Sequence, residues 1–257
     1  YWEYFHRNLG RLIGLFFLIP LIFFYLKNEI NRKYLITCIK IFILILLQGF
    51  VGWYMVKSGL VDNPHVSQYR LTAHLGLAVF IYGFIIWTVL DLLAPKLSQP
   101  RHLKRFSYTL SSLIFLMILS GGLVAGTRAG IPYPTWPLMG DSFIPPGLYS
   151  LTPFWLSAFE DMLTIQFNHR MFAYLIVVLV VTFAYKALKS DLDGPLKVAI
   201  YCFLILLVAQ VTLGISTLIF YIPVPVAAAH QVCAVALLTA SLFVSHCFSN
   251  QMTARES

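Results

Sequence analysis

Charge is scarce in this chain. Asp, Glu, Lys and Arg make up 11% of its 257 residues, against 59% hydrophobic residues. Soluble domains carry about 25% charged and 45–50% apolar residues, so the shortage excludes a water-soluble globular protein and marks an integral membrane protein. Carboxylates are scarcer than basic groups, 10 against 18, and no series of them runs along the apolar segments. That counts against a proton pump or an ion-coupled transporter. The four cysteines, Cys38, Cys202, Cys233 and Cys247, form no close pair. C-x-x-C-H is absent, which excludes covalent c-type haem attachment, and zinc-type spacing is absent too, so these thiols read as packing residues. No basic stripe with interleaved aromatics occurs, and the net charge of +8 therefore does not point to nucleic acid. Neither an initiating Met nor a signal peptide is visible: the chain opens at Tyr1 and enters an apolar run almost at once.

What remains is a set of long apolar runs. A helix needs about 20 apolar residues to span the hydrocarbon, and seven stretches qualify, at 5–26, 35–56, 70–93, 107–127, 167–187, 197–220 and 226–247. The predicted class is all-α, a polytopic membrane helical bundle. Basic residues collect in alternate connections: Lys27, Arg32 and Lys33; Lys96, Arg101, Lys104 and Arg105; Lys186, Lys189 and Lys197. The positive-inside rule puts these loops and the tail 248–257 in the cytoplasm, and loops 57–69, 128–166 and 221–225 outside.

Four histidines stand in repeated company. Glu3-Tyr-Phe-His6-Arg7, Gln48-x-x-x-Gly52 and Ala73-His74 in the first half match Gln166-Phe-Asn-His169-Arg170, Gln210-x-x-x-Gly214 and Ala229-His230 in the second. His6 precedes Gln48 by 42 residues and His169 precedes Gln210 by 41; the step from Gln to His is 26 and then 20, as a shorter loop explains. The orientation above brings all four imidazoles to similar depth, near the outer boundary. This duplication predicts two tandem four-helix repeats, 1–94 and 107–248. The first repeat lacks a counterpart of 107–127, so the expectation is an eighth span lost from the N-terminus, with seven present.

An imidazole in a membrane is costly and marks function. A single one reads most simply as an interhelical hydrogen bond, but four in register do not. Two pairs without Cys or carboxylate ligands at suitable spacing favour six-coordinate haem over tetrahedral zinc. Arg7 and Arg170 follow the first histidine of each pair and suit haem propionates through charge-assisted bonds, or else snorkel to headgroups. Arg70, four residues before His74, is a third propionate partner or an interface anchor; its counterpart is Val226. Glu3 faces Gln166 across the repeat, each three residues before its histidine. A carboxylate can take a proton or stabilise developing positive charge, whereas an amide cannot. The asymmetry makes the first-half site the reacting one, with Glu3 catalytic, unless Glu3 merely sits in the outer aqueous layer. His65, His102 and His246 are weak candidates. Gln48 and Gln210 read as interhelical glue or as pocket residues, and Gly49, Gly52, Gly121, Gly122 and Gly126 let helices or a flat ring approach closely.

These residues, with Gln48-Gly-x-x-Gly52-Trp-Tyr-Met-Val-Lys-Ser-Gly59, Tyr69-Arg-Leu-x-x-His74, Gly122-Leu-Val-Ala-Gly126, Trp136-Pro-Leu-Met139 and His230-Gln231, together resemble the haem A synthase family in its alphaproteobacterial and mitochondrial style. The resemblance covers nearly the whole chain. It implies an eight-helix inner-membrane oxidoreductase, bacterial or mitochondrial, that converts the C8 methyl group of haem O to a formyl group, giving haem A for cytochrome oxidase. It assigns His6 and His74 to the haem O substrate site, His169 and His230 to a resident haem b, and the family's glutamate to Glu3. Haem O synthase and an electron-transfer protein are the implied partners besides membrane lipid. Pro134 stands where the family pattern leads one to expect Asn. Two rival readings stay open at this stage: a bis-haem b-type electron carrier and a haem transporter.

Overall fold

A computed structural model describes residues 2–57, 66–93 and 103–249, with the side chains of Trp2 and Glu3 outside the description. His65, His102, Lys96, Arg101 and the tail beyond Ser249 lie outside the described residues. The chain is helical: α1 Trp2–Leu26, α2 Arg32–Lys57, α3 Gln68–Leu93, α4 Lys104–Thr127, the short α5 Ser157–Glu160, α6 Met162–Leu188, α7 Gly194–Ile219 and α8 Val224–Ser249. Seven of these are long and apolar enough to cross a membrane. At 1.5 Å per residue they span about 36–40 Å, more than the roughly 30 Å of hydrocarbon they must cross. The protein is a multi-pass membrane protein.

Helix starts follow local capping chemistry. The Asn31 side chain accepts from the Tyr34 N–H at 3.0 Å, opening α2. Asp161 caps α6, accepting from the Thr164 N–H at 2.9 Å and from the Thr164 hydroxyl at 2.6 Å. That cap moves the start of α6 to Met162, five residues before the expected 167. His169 therefore lies two turns inside its helix rather than at its mouth. At the far end of α4, Arg128 takes a left-handed conformation (φ 58°) and ends the helix.

Two compact units form, Tyr1–Ile85 and Ile86–Ser257, so the division falls within α3. In the first unit α1 lies against α2 with Phe17 and Phe42 stacked at 6.3 Å. Large apolar side chains such as Phe16, Phe23, Leu46 and Phe50 face outward, as lipid-facing positions do. In the second unit α4 packs on α6 and α8, and α7 on α8. The core there is dense: Val180, Phe183, Leu196, Ile200, Phe203 and Phe248 are buried. Phe183 meets Phe106 and Phe248 edge-to-face at 5.4 and 5.8 Å. Ser111 and Ser245 share a buried hydrogen bond of 2.9 Å between α4 and α8, polar glue between apolar helices.

Candidate functional site

In the first unit, α2 and α3 build a cradle for one imidazole. Gln48 and Gly52 lie one turn apart on α2, hence on one face. The Gln48 amide Nε2 donates to the His74 backbone carbonyl at 3.0 Å and lies 3.3 Å from the His74 ring Nε2. Gly52 supplies the floor: a β-carbon there would sit 2.8 Å from His74 Cε1. The His74 Nδ1 and Gln48 Oε1 are buried without a hydrogen-bond partner. His6 on α1 is exposed and stands within electrostatic reach of His74. Arg70, on the same face of α3 as His74, lies over the Tyr54 ring at 5.6 Å. Arg7 is exposed beside His6. Glu3 is in the first turn of α1.

The same pieces recur in the second unit, on α7 and α8. Gln210 Nε2 lies 3.5 Å from His230 Nε2, and a β-carbon on Gly214 would fall 2.9 Å from His230 Cε1. Here too the histidine Nδ1 and the glutamine Oε1 are buried and unpartnered. His169, on α6, stands within electrostatic reach of His230. Its ring rests on α4, where Ser120 Oγ is 3.0 Å from His169 Nδ1 and a Gly121 β-carbon would lie 3.5 Å from Cε1.

Around His169 the outer loop is tied down by polar side chains. Gln166, 2% exposed, donates to the Tyr133 carbonyl at 3.1 Å. Arg170, 6% exposed, donates to the same carbonyl at 3.0 Å and to that of Leu138 at 3.2 Å. Burial at this level is not snorkelling; the fork of the guanidinium ties α6 to the loop. The Arg170 Nε and the Gln166 Oε1 remain buried without partners. Trp136 Nε1 donates to the Tyr174 hydroxyl at 3.1 Å, Phe143 stacks on Tyr174 at 6.3 Å, and the Tyr149 hydroxyl donates to Asn168 Oδ1 at 2.8 Å.

Among the described residues, no three His, Cys, Asp or Glu side chains gather at metal-binding distance. Two imidazoles do not complete a tetrahedral zinc site. They do complete an iron whose four equatorial ligands come from a macrocycle. The unpartnered ring nitrogens, the glycine floors and the spare Nε of Arg170 suit such a group with its carboxylate side chains, and the residues fit haem.

Two features escaped the sequence reading. Ser120 gives no signal beyond its place before Gly121-Gly122. His246, a weak candidate by sequence, is 0% exposed and its Nε2 lies 2.9 Å from Asp91 Oδ1, with Trp87 edge-on at 5.2 Å.

Comparison with known proteins adds an independent line. Residues 1–242 match COX15-CtaA, described as a cytochrome oxidase assembly protein. A protein of Nitrosospira multiformis named Heme A synthase is 52% identical over 251 residues, covering 96% of this chain and 70% of the relative. Heme A synthase of Nitrosomonas eutropha is 46% identical over 250 residues, covering 95% and 70%. The human Heme A synthase COX15 is 40% identical over 255 residues, covering 95% of this chain and 62% of the relative.

Proposed function

Because this chain belongs to the COX15-CtaA family of cytochrome oxidase assembly proteins, we propose that it is a haem A synthase, a membrane enzyme of haem A biosynthesis. The observation that carries the reading is the matched cradle: Gln48, Gly52 and His74 in one unit, Gln210, Gly214 and His230 in the other. Each cradled imidazole has a second one within electrostatic reach, His6 and His169 respectively. The match also supports the two repeats, 1–94 and 107–248.

In this reading haem O, the substrate, lies between His6 and His74, with Arg7 and Arg70 toward its propionates. His169 and His230 would hold a resident haem b, with the unpartnered Nε of Arg170 available to a propionate, and the group would supply one-electron relay when bound. Converting the C8 methyl group to a formyl group removes four electrons and four protons overall when water supplies the oxygen. Glu3, one turn before His6, accepts protons or stabilises the positive charge that develops as electrons leave. The glutamine at the matching place, Gln166, has no such capacity; it holds the Tyr133 carbonyl instead. His6 and His74 would both be available to the iron of the substrate, and with both bound dioxygen would have no free position there. The sites face the outer side of a bacterial plasma membrane or a mitochondrial inner membrane, where haem O synthase and an electron acceptor meet the enzyme.

The test is product identity. Full-length protein co-expressed with a haem O synthase should yield haem A or its hydroxymethyl precursor, resolved by chromatography and mass. Haem O alone, with an intact bis-histidine spectrum, would make the chain an electron carrier. Bound haem without that fixed low-spin spectrum, and without product, would make it a transporter.

A further inference from the structure

The polar contacts made by the site histidines differ. Gln48 and Gln210 approach Nε2 of His74 and His230, and leave each Nδ1 buried and unpartnered. Ser120 reaches His169 at the opposite ring nitrogen, with Oγ 3.0 Å from Nδ1. A serine inside a helix usually turns its hydroxyl back to a carbonyl three or four residues earlier. Ser107, Thr109 and Thr127 of the same helix do this, to Lys104, Arg105 and Leu123. Ser120 points instead to another helix. A β-carbon on Gly121 beside it would lie 3.5 Å from Cε1, an ordinary van der Waals distance, so the ring packs directly against α4.

We infer that Ser120 is a positioning residue for His169, one that accepts the Nδ1 proton in a hydrogen bond and leaves Nε2 as the iron-binding nitrogen. The inference rests on the haem reading above and deepens it. A ligand histidine that donates its second N–H to an oxygen is fixed in tautomer and ring angle and becomes a stronger electron donor to the metal. His230 differs in its contact, with Gln210 Nε2 3.5 Å from its Nε2 and Nδ1 unpartnered. With Ser120 in place His169 would be a stronger electron donor than the same ring without it. A stronger donor favours ferric over ferrous iron and holds the resident haem at lower potential, which helps it pass electrons onward.

The experiment uses the full chain purified with its haem, as wild type, Ser120→Ala, Ser120→Thr and Ser120→Cys. Two quantities are read: the midpoint potential by optical redox titration, and the rate of haem transfer to apomyoglobin. Ser120→Ala should move the midpoint upward and speed haem loss about 10-fold or more, in the range seen when outer partners of metal ligands are removed. Ser120→Thr, which restores the hydroxyl, should return both values to wild type, and Ser120→Cys should lie between. An unchanged midpoint in Ser120→Ala overturns the inference, even if haem is lost faster, because packing damage alone accounts for that. Should Ser120→Ala not fold, equal midpoints for Ser, Thr and Cys overturn it instead. Wild-type protein lacking any low-spin haem would fail earlier, at the functional reading itself.

Discussion

Gly52 and His74 lie so close that a β-carbon on the glycine would sit 2.8 Å from the imidazole Cε1, nearer than side-chain atoms approach one another. Gly214 and His230 repeat the relationship at 2.9 Å. The imidazole fills the volume a side chain would occupy, so its position is set by what the neighbouring helix lacks. In a bundle where lipid competes with protein for apolar contacts, such small-residue contacts are the main means of holding helices at short range.

Alanine at these two positions therefore displaces a histidine while leaving its helix intact. Overpacking of this kind costs about 1–3 kcal/mol, enough to lower occupancy of a site that depends on the ring's position. Gly214→Ala should lose the resident haem, read as a fall in the low-spin spectrum and in haem per protein. Gly52→Ala should keep that spectrum and lose product. Gly49→Ala is the control, since nothing lies within 4 Å of a β-carbon there; it should match wild type in both. Equal haem loss from Gly49→Ala and Gly214→Ala would refute the steric account.

Arg170 makes a second, separable prediction. Its two Nη groups bridge the carbonyls of Tyr133 and Leu138, a fork that the single ammonium of lysine cannot reproduce. Arg170→Lys should loosen the loop between α4 and α5, because hydrogen bonds from a charged donor contribute about 1.5–3 kcal/mol each. Hydrogen exchange at residues 131–149 should rise by an order of magnitude or more while α7 and α8 keep their protection. Unchanged exchange in that loop would mean that Trp136, Phe143 and Tyr149 hold it without the arginine.

The spans were legible because a membrane helix announces itself by apolar length alone, and the histidines because each stands beside a duplicated partner. Other features were hidden for specific reasons. The start of α6 depends on Asp161 and Thr164, a cap within a stretch whose polarity reads as loop. Arg170 reads from the sequence as a partner of propionates or headgroups, and the backbone carbonyls that its Nη groups also hold belong to a loop that no periodicity describes. Ser120 looks like the other hydroxyls of α4 until the packing of α6 shows which one faces a ring. Asp91 and His246 are 155 residues apart, and neither segment carries a pattern that points to the other.

That last pair predicts a stability effect remote from the cradles. His246 is 0% exposed and Asp91 is partly open to its surroundings, so the hydrogen bond matters mainly to the histidine. Asp91→Ala leaves a buried ring nitrogen without its acceptor, at a cost of about 1–3 kcal/mol. Thermal unfolding in detergent should show a clear fall in Tm for Asp91→Ala and a smaller one for Asp91→Asn, whose amide oxygen still accepts. Haem content measured below the transition should be unaffected in both. A Tm for Asp91→Ala equal to wild type would mean that Trp87 and the surrounding apolar packing suffice.

The Glu3 prediction separates chemistry from binding. Glu3→Gln gives the first unit the residue that the second already has at the matching place, Gln166. If the carboxylate takes up protons or stabilises charge, losing it should lower product formation about 100-fold or more, within the range for a positioned acid or base. The substitution changes shape by a single atom type and leaves His6 and His74 in place, so haem O should still bind. The resident haem spectrum should be the same as in wild type, because the second unit is untouched. Protein from Glu3→Gln cells should therefore carry haem O in place of haem A, with total haem per protein unchanged. Product at the wild-type level would remove Glu3 from the mechanism, and loss of haem from both sites would show that the carboxylate serves the fold.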